Sequence, residues 1–342
     1  MKAFVIGKDG KKFIREVEKP EIKHPKDVLV KVKSAGICGT DLHIYKGEHP
    51  MAVGQDRIPG HEFSGEVVAV GAEVKNLKPG DRVVHEPIAY CGECYACTHG
   101  QPNVCRNLKV TGCNIDGGWQ EFYCAPERQW HKIPDWVTWT EAACVEPYTI
   151  GGQVCSQADV QAGDVVLIHG DGPIGLICGD TAKHLGATVI ISGHRAGRLQ
   201  LAKEIGMDYA VNSRETDLKT LVNELTDGEG VNVILDCVGL GRIMDDNLDM
   251  LSPAGRFVPV AVAPFTINNP TNILAKQLKI VGSRLQNKQF APVIARYALY
   301  KDSIDRLVTD TFAFEDSDEA FQYNLARHPE TGKVVILFDG KE

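Results

Sequence analysis

Residues 164–175 read DVVLIHGDGPIG, an apolar run that leads into a glycine-rich turn. A short apolar run without alternation is typical of a strand that is buried on both faces. The turn follows the pattern G-x-G-x-x-G, whose glycines permit a tight turn and let a pyrophosphate approach the start of a helix. The stretch therefore predicts a dinucleotide site, and the alternative is an ordinary glycine-rich turn. The residues predicted to contact the nucleotide here are Gly170, Gly172, Pro173, Ile174 and Gly175.

The segments beyond this turn alternate between strand and helix patterns. We predict a helix at 174–185, a strand at 187–192, a helix at 198–205 and a strand at 231–235. Such alternation predicts right-handed crossovers and a parallel, doubly wound sheet. The sequence therefore predicts a Rossmann domain, which we place at residues 151–284.

The end of the second predicted strand bears on the choice between NADP and NAD. In this fold an acid about 20 positions after the glycine motif pairs with a free ribose hydroxyl. Here the strand ends in SGHR at 192–195, and no carboxylate follows until Glu204. The side chains that could bind a 2′-phosphate instead are Ser192, His194, Arg195 and Arg198. These residues predict NADP(H) over NAD(H), and the alternative is that both arginines merely begin a solvated helix.

Length, charge and cysteine content restrict the class of protein. A chain of 342 residues exceeds the usual size of a single core, which predicts two domains. The net charge of −8 and the lack of a long basic run argue against a nucleic-acid partner. We expect no membrane span and no signal peptide, because no apolar run is long enough. An odd total of 11 cysteines suits a reducing compartment, so we expect a cytoplasmic protein.

Short strands separated by turns dominate the chain before the Rossmann pattern. Strands are predicted at 28–32, 65–70 and 82–84, and the residues at 1–13 predict a first strand and hairpin. The tail, 290–338, reads as helix, strand, helix, strand, and we expect it to return to this domain. The first domain is therefore predicted to comprise residues 1–150 and 285–342.

Four cysteines lie close together in a turn-rich segment at 91–105. Thiolates at this spacing can close on one tetrahedral ion, and closure without an open position indicates a structural zinc. Disulfide pairing and a nucleic-acid-binding zinc ribbon are the alternatives, and the odd cysteine total and acidic charge disfavour them. The ligands predicted for this lobe are Cys91, Cys94, Cys97 and Cys105.

A second set of metal ligands is scattered over three segments. Cys38 lies in GICGTDLH, the pair His61 and Glu62 lies in GHEFSG, and Glu146 lies before a proline. Three ligands of mixed sulfur, nitrogen and oxygen type leave a fourth position for water or a substrate oxygen, as a Lewis-acid zinc requires. Taken singly, a buried cysteine is usually part of a core, and a His-Glu pair usually lies on the surface. Cys144 is the alternative to Glu146 as the third zinc ligand.

These segments resemble the zinc-containing medium-chain dehydrogenase/reductase family. The resemblance rests on residues 36–43, 60–71 and 78–83 and on the four-cysteine lobe, and it runs in family order over essentially the whole chain. Glu146, in a Glu-Pro dipeptide, resembles the polyol (sorbitol) dehydrogenase branch, where simple alcohol dehydrogenases carry a cysteine. The resemblance implies a β-rich GroES-like catalytic domain beside the Rossmann domain, two zinc ions per chain and a homodimer or homotetramer.

The resemblance also implies roles for particular residues. Cys38, His61 and Glu146 would hold the catalytic zinc, and Glu62 would be either a fourth ligand or a carboxylate that supports the ligands.

Further positions match the family's proton relay and its cleft. Thr40 and His43 match the relay, and Arg284 resembles the arginine at the interdomain cleft of polyol enzymes. Ile44 departs from the pattern, because sorbitol dehydrogenases often have tyrosine there, and this leaves the choice of substrate open.

Three functions are consistent with this pattern. The first is oxidation of a secondary alcohol in a polyol, sugar acid or cyclitol to a ketone, with hydride transfer to a nicotinamide. The second is L-threonine 3-dehydrogenase, because CGTDLHIY at 38–45 resembles that branch as well. The third is a catalytically idle relative that senses nucleotide or metal.

Overall fold

The computed structural model describes residues 1–50, 52, 54–326 and 328–340. The chain forms two compact units. The first unit comprises Met1–Glu146, Phe290–Tyr297 and Val308–Glu342, and the second comprises Pro147–Gln289 and Ala298–Leu307. The predicted tail is thus divided, since residues 298–307 belong to the second unit.

The amino-terminal part of the first unit is built mainly from short strands. In chain order these are β1 (Lys2–Ile6), β2 (Lys12–Glu16), β3 (Asp27–Gly36), β4 (Phe63–Val70), β5 (Arg82–His85), β6 (Ile88–Ala89), β7 (Lys109–Val110), β8 (Phe122–Pro126) and β9 (Trp130–Lys132). Its helices are α1 (Gly39–Tyr45), α2 (Tyr95–Thr98) and α3 (Trp139–Ala142), with 3-10 turns at Pro102–Val104 and Glu127–Gln129. The predicted hairpin and the predicted strands at 28–32, 65–70 and 82–84 are confirmed.

The second unit alternates strands with helices. These elements are α4 (Val145–Gln157), which begins at the boundary, β10 (Val165–His169), α5 (Pro173–His184), β11 (Thr188–Gly193), α6 (Ala196–Ile205), β12 (Tyr209–Asn212), α7 (Leu218–Leu225), β13 (Val231–Asp236), α8 (Met244–Met250), β14 (Leu251–Pro259), α9 (Thr271–Ala275) and β15 (Lys279–Ile280). A 3-10 turn lies at Gly241–Ile243.

The tail adds helices and two strands. They are α10 (Phe290–Ala295), α11 (Tyr297–Leu307), β16 (Val308–Ala313), α12 (Ser317–Ala326) and β17 (Lys333–Leu337), with a 3-10 turn at Phe314–Asp316. Where one helix was predicted before the first tail strand, the structure has two, α10 and α11.

The main sheet of the first unit joins the tail to the amino-terminal strands. Its order is β16-β17-β3-β4-β5-β9, and β8 also pairs with β3. β17 runs antiparallel to β3 and sets Val335 opposite Gly36, so the tail lies beside the segment that leads into α1. On this sheet an aromatic cluster is buried, in which Phe63 stacks on His85 with ring centroids 4.6 Å apart.

The second unit contains a six-stranded parallel sheet in the order β12-β11-β10-β13-β14-β15. The prediction of a doubly wound parallel sheet is confirmed. His169 lies opposite both Ser192 and Asp236, so the carboxyl ends of β10, β11 and β13 meet at one edge, where such sheets bind ligands. Fully buried Leu167, Ile190 and Ile234 fill the core on these strands.

A buried carboxylate attaches the helix α11 to the second unit. Asp180, on α5, is 1% exposed and accepts hydrogen bonds from the hydroxyls of Tyr148 (2.7 Å) and Ser303 (3.0 Å). His184 lies 3.2 Å from the same carboxylate, and Asp180 raises the pKa of its imidazole. These contacts explain why residues 298–307 lie with the second unit. Among the described residues, no helix is both long enough and apolar enough to cross a membrane.

Candidate active site

The four-cysteine lobe is assembled as a potential metal site. The sulfur atoms of Cys91, Cys94, Cys97 and Cys105 all lie within 4.8 Å of one another. The sulfur of Cys105 also accepts hydrogen bonds from the backbone N–H groups of Cys91 (3.4 Å) and Asn107 (3.3 Å). Backbone N–H donors at Arg106 and Cys97 lower the pKa of Cys94 to about 6, which favours the thiolate that binds metal. Four thiols in this arrangement fit one tetrahedral zinc.

The second ligand set lies in the first unit, where the end of β3 meets the loop before β4. Ligand atoms of Cys38, His61 and Glu62 lie within 4.8 Å of one another. The Nδ1 atom of His61 is buried and has no hydrogen-bond partner among the described residues. A thiol, an imidazole and a carboxylate are the ligand types that zinc prefers, so this set fits the metal.

Asp41 connects the two segments that carry these ligands. The side chain is fully buried in α1, and its oxygens accept hydrogen bonds from the backbone N–H groups of Cys38 (2.9 Å) and Gly60 (3.2 Å). The Nδ1 atom of His61 lies 3.6 Å from the same carboxylate. Burial raises the pKa of Asp41, although His61 and the backbone donors oppose that shift. Sequence reasoning missed Asp41, whose only local signal is its place three residues after Cys38.

Gly60 must be glycine for the His61 segment to follow its path. Its φ is +98°, and an added Cβ atom would lie 2.0 Å from the ring of Trp119. Only glycine can adopt this positive φ so close to a buried ring, because it has no side chain.

Lys333 lies against the second ligand set and was also missed. The residue begins β17, is 3% exposed, forms an ion pair with Glu62 and donates a hydrogen bond to the carbonyl of Ile37 at 3.0 Å. Burial lowers the pKa of Lys333, but the Glu62 carboxylate and the Cys38 thiolate outweigh it and raise the pKa overall. Since buried charges require partners, this lysine serves as the partner of Glu62 and orients it.

Glu146 and Cys144 lie nearby but outside the group of three. Glu146 is in the first turn of α4 and is 5% exposed. Burial raises its pKa to about 7, and the charges of His61, Glu62 and Lys333 also act on it. Burial likewise raises the pKa of Cys144 to about 12. Neither residue belongs to the group whose ligand atoms lie within 4.8 Å of one another.

The predicted relay residues lie on α1, which begins directly after Cys38. Thr40 and His43 are spaced three apart and therefore lie on neighbouring positions of one helix face. The side chain of His43 is 63% exposed, and its Nδ1 atom lies 3.0 Å from Glu48. His43 is thus open to water. Ile44 is buried, at 2% exposure.

The glycine turn of the second unit has the form that a pyrophosphate requires. The φ of Gly170 is +113°, and an added Cβ atom on Gly175 would lie 1.9 Å from the carbonyl oxygen of Gly170. Gly172 is the N-cap of α5, with Pro173 in the first turn and no side chain capping the helix. The N–H groups of this first turn are therefore available to an anion, and the residues fit a dinucleotide.

The four side chains predicted to bind a 2′-phosphate differ in exposure. Ser192 and Arg198 are buried, at 4% and 8% exposure, whereas His194 is exposed. The Nη1 atom of Arg198 would lie 3.7 Å from a Cβ atom added to Gly172, so its guanidinium reaches the glycine turn. Arg195 pairs with Asp171, a carboxylate in the glycine turn that sequence reasoning did not consider.

Arg284 lies in the second unit beyond β15, where its side chain is exposed. Among the described residues, Arg284 belongs to neither of the two groups of metal ligands.

Comparison with known proteins identifies the family. The family described as "Alcohol dehydrogenase GroES-like domain" matches residues 24–135, and the one described as "Zinc-binding dehydrogenase" matches residues 173–298. A sorbitol dehydrogenase from Halalkalibacterium halodurans is 36% identical over 98% of this chain and 99% of its own. An L-threonine 3-dehydrogenase from Pyrococcus furiosus is 36% identical over 94% of each chain.

Two solved structures have the same fold. The Escherichia coli CFT073 alcohol dehydrogenase RspB, complexed with NADH, is 35% identical with a TM-score of 0.89 and 99% coverage of both chains. A zinc-binding dehydrogenase from Sinorhizobium meliloti 1021, bound to NADP, is 29% identical with a TM-score of 0.89, covering 98% of this chain and 99% of its own.

The matches span both units in the order that the sequence motifs predict. They agree with a GroES-like unit that carries the ligand groups and a Rossmann unit that carries the glycine turn. The chain is therefore an oxidoreductase of the zinc-containing medium-chain dehydrogenase/reductase family and belongs to its polyol dehydrogenase-like branch.

Proposed function

We propose that this enzyme oxidises a secondary alcohol of a polyol, sugar acid or cyclitol to a ketone, with NADP(H) as the preferred cofactor. The observation that carries the proposal is the group formed by Cys38, His61 and Glu62, which is backed by Lys333 and followed directly by the relay helix α1. Its relatives include a sorbitol dehydrogenase, which supports a polyol-like substrate.

Different residues of this chain would have different roles in the reaction. Bound zinc supplies Lewis-acid activation of a hydroxyl, and bound dinucleotide supplies the hydride acceptor. Thr40 and His43 would carry the hydroxyl proton away, because they share a helix face and His43 opens to water. Asp41 would fix Cys38 and His61 in place through its hydrogen bonds to both segments. Arg284 is proposed to contact the substrate, on the basis of the family pattern alone.

The identity of the third zinc ligand can be tested by metal content. We propose Glu146 as the third ligand beside Cys38 and His61, with Glu62 as a fourth ligand or a supporting carboxylate. Cys38→Ala or Glu146→Ala should abolish activity and lower bound zinc from about two toward about one per chain, because the closed cysteine lobe keeps its own ion. Full turnover or unchanged zinc in Glu146→Ala would instead favour Glu62 as the third ligand.

Cofactor preference rests on the turn at 192–195 and on Arg198. Two guanidinium groups close to the glycine turn support binding of a 2′-phosphate. Because a charge-assisted hydrogen bond contributes roughly 1.5–3 kcal/mol, Arg195→Ala should raise the KM for NADP at least about tenfold. Equal kinetics with NAD and NADP in the wild-type enzyme would contradict this preference.

L-Threonine is the alternative substrate, because CGTDLHIY at 38–45 resembles that branch and a relative carries that activity. A rate screen of polyols, sugar acids, cyclitols and threonine, run with NADP and with NAD on zinc-analysed enzyme, separates the two functions. His43→Ala should reduce the best rate by roughly 10- to 100-fold, as expected for a relay. Tight dinucleotide binding without turnover on any alcohol would indicate the catalytically idle, sensing relative.

The assembly and location of the enzyme are proposed as a homodimer or homotetramer in the cytoplasm, acting on a small molecule rather than on nucleic acid or a membrane. The net charge of −8 supports the lack of a nucleic-acid partner.

A further inference from the structure

Asp171 places a carboxylate at the end of β11, where residues 192–195 themselves contain none. The residue lies in the glycine turn between Gly170 and Gly172, and its side chain is 4% exposed. It lies against the end of β11, since an added Cβ atom on Gly193 would be 2.4 Å from its Oδ2 atom. A carboxylate from the glycine turn after β10 therefore lies at the end of β11, where the sequence lacks the acid that would bind the ribose.

The contacts of Asp171 hold the turn that leads into α6. Its Oδ2 atom accepts hydrogen bonds from the backbone N–H groups of His194 (2.9 Å) and Arg195 (2.8 Å). Its Oδ1 atom lies 3.6 Å from Nη1 of Arg195, whose side chain is 23% exposed. One carboxylate thus fixes the backbone of this turn and also engages the guanidinium that was predicted to bind a 2′-phosphate.

This arrangement affects cofactor selectivity through Arg195. A guanidinium that already faces a carboxylate has less charge to offer a phosphate, and reaching the phosphate would disrupt that pair. Arg198 lies at the glycine turn itself, since its Nη1 atom would be 3.7 Å from a Cβ atom added to Gly172. The affinity contributed by Arg195 should therefore depend on the charge of Asp171, whereas binding of the pyrophosphate should not.

We propose that Asp171 is a specificity-determining residue that limits the affinity of the enzyme for a 2′-phosphate by pairing with Arg195. The inference rests on the dinucleotide site of the proposed function and deepens it. Asp171 acts through Arg195 and is a positioning residue in this sense.

The test is Asp171→Asn in the intact, zinc-loaded enzyme, with binding measured by calorimetry. The asparagine oxygen can still accept both backbone N–H groups, so the turn is retained while the charge is removed. The probes are adenosine 2′,5′-bisphosphate and 5′-AMP. We expect the bisphosphate to bind about tenfold more tightly in the variant, and 5′-AMP to change by less than about threefold.

A double-mutant cycle and a matched control test whether the tighter binding of the bisphosphate depends on Arg195. In an Arg195→Ala background, Asp171→Asn should no longer tighten the bisphosphate, because the partner that it releases is absent. Asp208→Asn is the control, since Asp208 also accepts a backbone N–H, from Val189 at 2.7 Å, and pairs with Lys183 at 2.8 Å. The control should leave the ratio of the two dissociation constants unchanged.

The outcomes separate this inference from the function on which it rests. If wild-type enzyme binds neither probe, the dinucleotide site itself is wrong. If both probes bind but Asp171→Asn leaves their ratio unchanged, or tightens the bisphosphate equally without Arg195, the role of Asp171 is wrong while the dinucleotide site stands. Asp171→Ser, which keeps an acceptor oxygen without a charge, provides the same comparison if the asparagine variant does not fold.

Discussion

His85 lies inside the aromatic cluster of the first unit and is fully buried. Its ring contacts Phe63 and Trp130, with centroids 4.6 and 4.8 Å away, and its Nε2 atom lies 3.0 Å from the hydroxyl of Thr111. Burial lowers the pKa of His85 to about 3, with a smaller contribution from His131. The imidazole therefore stays neutral in the folded protein at any ordinary pH.

The stability of the protein should consequently fall as the medium is acidified. The unfolded chain takes up a proton at this position below its ordinary pKa of 6.5, whereas the folded chain does so only near 3. His85 thus favours unfolding by about 1.4 kcal/mol per pH unit below 6.5, or about 2 kcal/mol at pH 5. We expect His85→Gln, which can still bond Thr111, to lose less stability than wild type between pH 7 and pH 5 in urea unfolding.

The matched control for this measurement is His24→Gln, because His24 is exposed. This variant should keep the wild-type difference between the two pH values. An unchanged pH dependence in His85→Gln would show that the histidine is not held neutral.

The ion pair between Lys333 and Glu62 can be tested by replacing the lysine. Lys333→Met leaves the Glu62 carboxylate buried without its cation, so we expect a loss of about 3–5 kcal/mol in unfolding free energy. Adding Glu62→Gln should recover part of that loss, because the unpaired charge is then removed. The comparison is made by denaturant unfolding of metal-free protein, and equal instability of the single and double variants would argue against the ion pair.

At the scale of elements, the glycine turn and α5 act together as one binding element. Gly175→Ala would place a Cβ atom 1.9 Å from the carbonyl oxygen of Gly170, so the turn must open and the helix start must move. We expect 5′-AMP to bind at least about tenfold more weakly to this variant in calorimetry. Gly282→Ala is the control and should bind 5′-AMP like wild type, because a Cβ atom there meets nothing within 4 Å. Wild-type affinity in Gly175→Ala would contradict the assignment.

The local elements were predictable from sequence, because each depends on residues that adjoin in the chain. The strand and turn at 164–175 and the strands β3, β4 and β5 follow from apolar runs and turn residues within a few positions. The helix α6 begins at Ala196 rather than at 198, because Asp171 fixes the preceding turn.

The supporting side chains of the site were not predictable in the same way. Asp41, Lys333 and Asp171 each act on a segment brought close only by the folded sheets. An isolated Asp or Lys gives no periodic signal, and its partners are known only once strand order and register are known.

At the scale of the whole molecule, the edge of the Rossmann sheet bears on assembly. β15 is an edge strand, and Ile280 on it is 37% exposed. Leu274, in the helix that precedes β15, and Val262, in the segment that follows β14, are 81% and 104% exposed. Unpaired backbone groups beside apolar side chains favour pairing with a second copy. We expect Ile280→Glu to lower the mass measured by sedimentation toward that of one chain.

Tyr209→Glu provides the control for assembly, because β12 is the opposite edge of the same sheet and Tyr209 is 39% exposed. Its mass should equal that of wild type. A wild type that already sediments as a single chain would contradict the proposed oligomer.

The position of β17 also has a consequence for synthesis on the ribosome. Lys333 donates to Ile37 across 296 positions of sequence, and its strand closes the sheet beside β3. While the chain is still being translated, Glu62 lacks the cation that balances it, although Cys38 and His61 emerged long before. Nascent chains of this enzyme should therefore complete their second ligand group only after β17 has been synthesised, when the Rossmann sheet has already had time to fold.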